Sequence, residues 1–231
     1  FLMETYFKKI LLACFCLLVF AHSSFAEDKE IDPRVQKCIT MMRDYYSLGI
    51  HPTKKEIISC GEKNGLNQAE IDSFIRKDKD EQLLRDYYDA QVEQLNVFAA
   101  TAKKGEGSQS QTTRKMVQKV FRLIDGVSAA RISRNVSLHK KIQIEILKTM
   151  NILADRLDAE WSMEDMTRRF KKTEEMNLPY PEERKQIETR IANFYILEKD
   201  EKFIPTNLAK EIVAEFNTHS ERVNLFLNNP R

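Results

Sequence analysis

Apolar residues in this chain recur at three- and four-residue steps, with polar residues filling the gaps, which is the period of a helix that buries one face. Val35, Ile39, Met42 and Tyr46 form the first such stripe, with Cys38 on the same side. Asp32-Pro33 offers a cap followed by proline at the first helical position, and Gly49 a stop. His51-Pro52-Thr53 is predicted to open a second, short helix carrying Ile57, Ile58 and Cys60 and closing at Asn64-Gly65. Asn67 caps a third, whose stripe runs on through Leu84, Tyr88, Val92, Leu95, Phe98 and Ala102, with 77–80 marking a kink or break in it.

From residue 114 to about 161 the pattern reads as helix almost throughout. Val117, Val120, Phe121, Ile124 and Val127 form one stripe, and Leu138, Ile142, Ile146, Met150, Leu153 and Leu157 another. Interruptions are expected at Gly126 and at 135–137, with a capping-box-like restart at 162–165. The two prolines of 178–181 end one helix and open the next, which carries Ile187, Ile191, Phe194 and Tyr195. A further break at 203–205 places Thr206 as the cap of a last helix bearing Leu208, Ile212, Phe216, His219, Val223 and Phe226. Sustained two-residue alternation is absent from the sequence. The fold class is therefore all-α: a small helical N-terminal unit followed by a four- to five-helix bundle.

The one continuous apolar run, residues 10–20, follows Lys8-Lys9 and precedes a small-residue segment ending at Ala26. Basic region, short apolar core and small-x-small site together predict a signal peptide over 1–26, cleaved after Ala26. The run is too short to remain as a comfortable membrane span. Export to the periplasm or the extracellular space is the expectation. The remainder divides into a helical unit at 27–103, a Gly- and Ser-bearing linker at 104–112 and a helical bundle at 113–231.

Charge narrows the partners. With 37 Lys and Arg against 35 Asp and Glu, the chain has no global basic field to hold nucleic acid. Cys14 and Cys16 fall in the signal, leaving Cys38 and Cys60, and an even pair in an oxidising compartment is most simply a disulfide.

Enzyme chemistry finds little foothold. His51, His139 and His219 lie far apart, with no metal-ligand spacing, and neither G-x-S-x-G nor a phosphate loop occurs. No metal and no cofactor are expected. Asp155, Asp158 and Glu160 read as a solvated charged face.

Two surfaces stand out. The segments 43–46 and 85–88 both read Arg-Asp-Tyr-Tyr, offering Tyr45, Tyr46, Tyr87 and Tyr88 as a binding surface; amphipathic logic puts one tyrosine of each pair in the core and the other at the rim with a wet hydroxyl. The basic residues Arg122, Arg131 and Arg134 form an alternative, an anion pocket if they point inward. In architecture, such an exported bundle with inward Arg and Lys resembles the exported helical chorismate mutases. The spacing of the cluster does not reproduce that family's pattern, and no residue is carried over from it. The expected function is non-catalytic: contact with other envelope or extracellular proteins through helix surfaces, the alternative being a bundle enzyme that binds a small anion.

Overall fold

The computed structural model describes residues 31–199 and 205–229, and the expected signal peptide lies outside them. The described residues form eight helices and no strand, as the periodicity requires: α1 (Pro33–Ser47), α2 (Lys54–Lys63), α3 (Gln68–Lys77), α4 (Glu81–Lys104), α5 (Gln111–Ile132), α6 (Val136–Lys172), α7 (Pro181–Leu197) and α8 (Thr206–Asn228). Among the described residues no helix is long and apolar enough to cross a membrane. By its contacts the chain falls into two units, Phe1–Ala99 with Arg122–Ile146, and Ala100–Phe121 with Leu147–Arg231.

In the first unit, local chemistry sets the helix ends. The Asp32 carboxylate accepts from the Arg34 backbone N–H ahead of Pro33. Thr53 and Asn67 each close a capping box, with Glu56 and Glu70 respectively, satisfying backbone donors that the first turn leaves free. Helix α1 stops where Gly49 takes φ +68°, the left-handed conformation that glycine adopts without strain. Its missing side chain matters as well, since a Cβ there would lie 2.6 Å from Cδ2 of Tyr88. Helices α1 and α2 run antiparallel: Cys38, early in α1, meets Cys60, late in α2, while Tyr45 meets Glu56 at the other end. Helix α3 closes over them because Gly61 is bare, its Cβ position being only 2.4 Å from Cγ1 of Ile71. The buried result is a small core of Cys38, Met42, Tyr46, Ile57, Leu66, Ile71 and Phe74.

The second unit has its own core, in which Ala159, Met163, Met166 and Phe170 of α6 meet Ile187, Ile191 and Phe194 of α7 and Ala209, Ile212 and Phe216 of α8. Two expected interruptions and one expected cap differ. Helix α5 runs unbroken through Gly126, where the bare backbone admits Ile142 of α6, within 3.1 Å of the Cβ position. Helix α6 runs unbroken through 162–165, because Met163 and Met166 continue its buried stripe. Thr206 is the first helical residue of α8 rather than its cap; Pro205 precedes it and gives no side-chain cap bond. The breaks expected at 77–80, 135–137 and 178–181 are present.

Candidate protein-binding surface

The four tyrosines are brought together in the first unit, with unequal roles. Tyr46 is a core residue, 1% exposed, and its hydroxyl donates to Asp78 Oδ1 at 3.2 Å. Tyr87 packs half-buried against the same core, its ring 6.2 Å from that of Tyr46, and its hydroxyl accepts from Arg43 Nε at 2.8 Å. Tyr45 and Tyr88 are the rim members. The core position is thus the second tyrosine of the first pair but the first of the second pair, so the repeated sequence does not repeat a role. The hydroxyls expected to be wet are bonded. Tyr45 donates to Glu56 Oε1 at 2.6 Å, and Tyr88 accepts from an Arg131 guanidinium nitrogen. Burial, reinforced by the Glu56 carboxylate, pushes the Tyr45 hydroxyl up to about 12, so it stays a neutral donor.

Two of the three arginines belong to this same surface. Arg131 lies over the ring of Tyr88, its Cζ 4.4 Å from the centroid. Arg134 stands in the turn after α5 at φ +52°, a left-handed position where glycine is usual. The turn closes through Asn135 N–H to Ala130 O at 2.8 Å. From there Arg134 donates to His51 O at 2.9 Å, lies 3.6 Å from Glu56 Oε2 and approaches the Tyr45 ring at 5.9 Å. Lys140 of α6 pairs with Asp44 of α1. Arg122 is exposed on α5. The basic cluster therefore works largely as a clamp on tyrosine rings, with its guanidiniums facing outward rather than converging inward.

Between α1 and α2 this face opens into a groove of about 670 Å³. Lys37, Met41 and Tyr45 line it from α1 at four-residue steps, and Lys55, Ser59 and Lys63 from α2 at the same step, each set on one helical face. Glu56 also borders the groove, but its oxygens are engaged. Burial would raise its carboxyl, yet hydrogen bonds from Tyr45 and Thr53 outweigh that and hold it below its ordinary range. Cys60 borders the same groove, and its Sγ is 2.7 Å from Cys38 Sγ, longer than a disulfide bond; both are free thiols in this structure. Burial, with the adjacent Cys60, pushes the Cys38 thiol up to about 12.

Among the described residues no cluster of three or more His, Cys, Asp or Glu could hold a metal ion. Asp155 and Asp158 are exposed, as a solvated face requires. Glu160, expected on the same solvated face, is instead buried in the second unit, as is Arg156, because both fall in the apolar register of the helix. Arg156 pairs with Glu198 at 2.6 Å, Thr113 Oγ1 donates to Glu160 and lies 3.3 Å from Glu198, and Ser108 Oγ donates to the other Glu160 oxygen. Burial raises the Glu160 carboxyl against these two hydroxyl bonds. The sequence carried a signal for this network, since Arg156 and Glu160 fall at core spacing between Leu153 and Met163. No protein-family model, curated protein or solved structure matches this chain.

Proposed function

We propose that the protein is an exported, non-catalytic interaction component whose first unit makes contact with other envelope or extracellular proteins. The observation that carries this reading is the face built by Tyr45, Tyr88, Arg131 and Arg134, beside an open groove between α1 and α2. Aromatic rings already held by guanidiniums lose less side-chain freedom on binding, and Tyr and Arg are among the side chains most enriched where partners bind. Export is supported by the composition of residues 1–26, which that reading takes to be removed. In an oxidising compartment the adjacent Cys38 and Cys60 would join as a disulfide, tying α1 to α2 at one end of the groove. The alternative, a small-anion enzyme using Arg122, Arg131 and Arg134, draws less support, because these arginines are exposed and two of them are engaged by tyrosines.

In-cell cross-linking of a C-terminally tagged form, followed by mass spectrometry, tests the reading. A stoichiometric protein adduct that is weakened by Tyr88→Ala, with thermal stability kept within a few degrees, is the expected result. Recovery of the processed chain alone, together with a thermal shift on adding small carboxylates or phosphates, would overturn it.

A further inference from the structure

The groove between α1 and α2 has a charge layout that specifies its occupant. Lys37 stands at the end where Cys38 meets Cys60, and Lys63 lies on the same end of α2. Lys55 stands at the opposite end, where Tyr45 bonds Glu56. Met41 lies along α1 between these ends, and the Tyr45 ring walls the Lys55 end. All three lysines are exposed, and none has an ion-pair partner among the described residues. The one carboxylate on the rim, Glu56, is neutralised by Arg134 and occupied by Tyr45 and Thr53, so it offers the lysines nothing. The groove is cationic at both ends and apolar between.

We propose that this groove docks an acidic peptide segment of a partner protein: carboxylates at each end and an apolar side chain between them, seated on Met41 and Tyr45. The proposal rests on the protein-binding reading above and deepens it. Lys55 and Lys63 are eight residues apart, roughly 12 Å along α2 at 1.5 Å per residue, a span that about four residues of extended peptide cover at ~3.3 Å each. Two acidic clusters separated by two apolar residues therefore match the groove. The chain's near-neutral balance gives such a partner local rather than long-range attraction, which suits a short segment better than a polyanion such as nucleic acid.

The test uses the full processed chain under non-oxidising and oxidising conditions and a fluorescein-labelled peptide, Glu-Glu-Leu-Phe-Glu-Glu, read by fluorescence anisotropy. Saturable binding is expected, with a loss of about tenfold or more in Lys37→Glu/Lys55→Glu, since each reversal removes an attraction and adds a repulsion. The Lys37→Gln/Lys55→Gln/Lys63→Gln variant, whose changes touch no ion pair among the described residues, should lose several-fold while melting as the parent does. Absence of saturable binding, equal binding of the Lys-Lys-Leu-Phe-Lys-Lys peptide, or binding unchanged in both variants would overturn the proposal. So would a preference for phosphatidylglycerol vesicles over the peptide. The in-cell adduct separates the two levels: an adduct that persists in the lysine variants leaves the protein-binding reading standing and removes the groove, whereas no adduct from the parent chain removes the reading itself.

Discussion

Acid should loosen the first unit through one residue. His139 of α6 is 1% exposed, neither ring nitrogen has a hydrogen-bond partner among the described residues, and burial alone lowers its imidazole to about 4 from an ordinary 6.5. The folded chain therefore holds His139 neutral where the unfolded chain already protonates it. The unfolded state binds more protons between these two values, so stability rises with pH across that window and is fully present above about 6.5. At pH 5 the difference is worth roughly 2 kcal/mol, approaching about 3 kcal/mol below pH 4. His139→Leu removes the titration, keeps the volume similar and replaces two unsatisfied nitrogens with carbon. At pH 7 it should be as stable as the parent or more so, by up to ~1–3 kcal/mol. Urea unfolding followed by far-UV circular dichroism at pH 7 and pH 5 measures the double difference, cancelling every titration shared by the two proteins. The parent should lose about 2 kcal/mol more than the variant. Equal losses would refute the reasoning, and a large destabilisation of the variant at pH 7 would show that the imidazole has a partner.

Other consequences follow from packing and charge. Arg156→Leu should cost about 3–5 kcal/mol, because it leaves the Glu198 carboxylate buried without its guanidinium; adding Glu198→Leu should recover much of that, read by chemical denaturation. Gly61→Ala should lose about 1–3 kcal/mol despite alanine's better helix propensity, because its Cβ would displace Ile71; the melting temperature of the two proteins checks it. On the export reading proposed above, protein recovered from the envelope or medium should be 2 Da lighter than its reduced form by intact mass, reflecting a Cys38–Cys60 bond (two hydrogens lost) that closes a loop worth roughly 3 kcal/mol. Reduction that leaves proteolysis of α1–α3 unchanged would remove the structural role of that pair.

Features written in local chemistry were legible in the sequence. Asp32, Thr53 and Asn67 cap the helices expected of them, since a side-chain oxygen two or three residues from a free N–H needs no tertiary context. Features decided by packing were not. Gly126 and residues 162–165 look like interruptions one residue at a time, but Ile142 fits against the first and the Met163–Met166 stripe carries the helix through the second. The tyrosine surface was visible as residue types, whereas its organisation was not: nothing in the spacing places Arg131 on Tyr88 or Arg134 on Tyr45, contacts made by residues 43 and 89 positions apart in the chain. The buried Arg156 network was legible in principle, as charges standing in an apolar register, and was hidden by the exposed carboxylates beside it.

The central claim is that partners meet the first unit on its α1–α2 face. A photo-cross-linking amino acid placed at Ser59, exposed in the groove, and separately at Lys171, exposed on α6 of the second unit, tests it in the cell. The account predicts a discrete protein adduct from position 59 and none from position 171. Adducts from 171 alone, or from neither position while the protein is exported and folded, would contradict it.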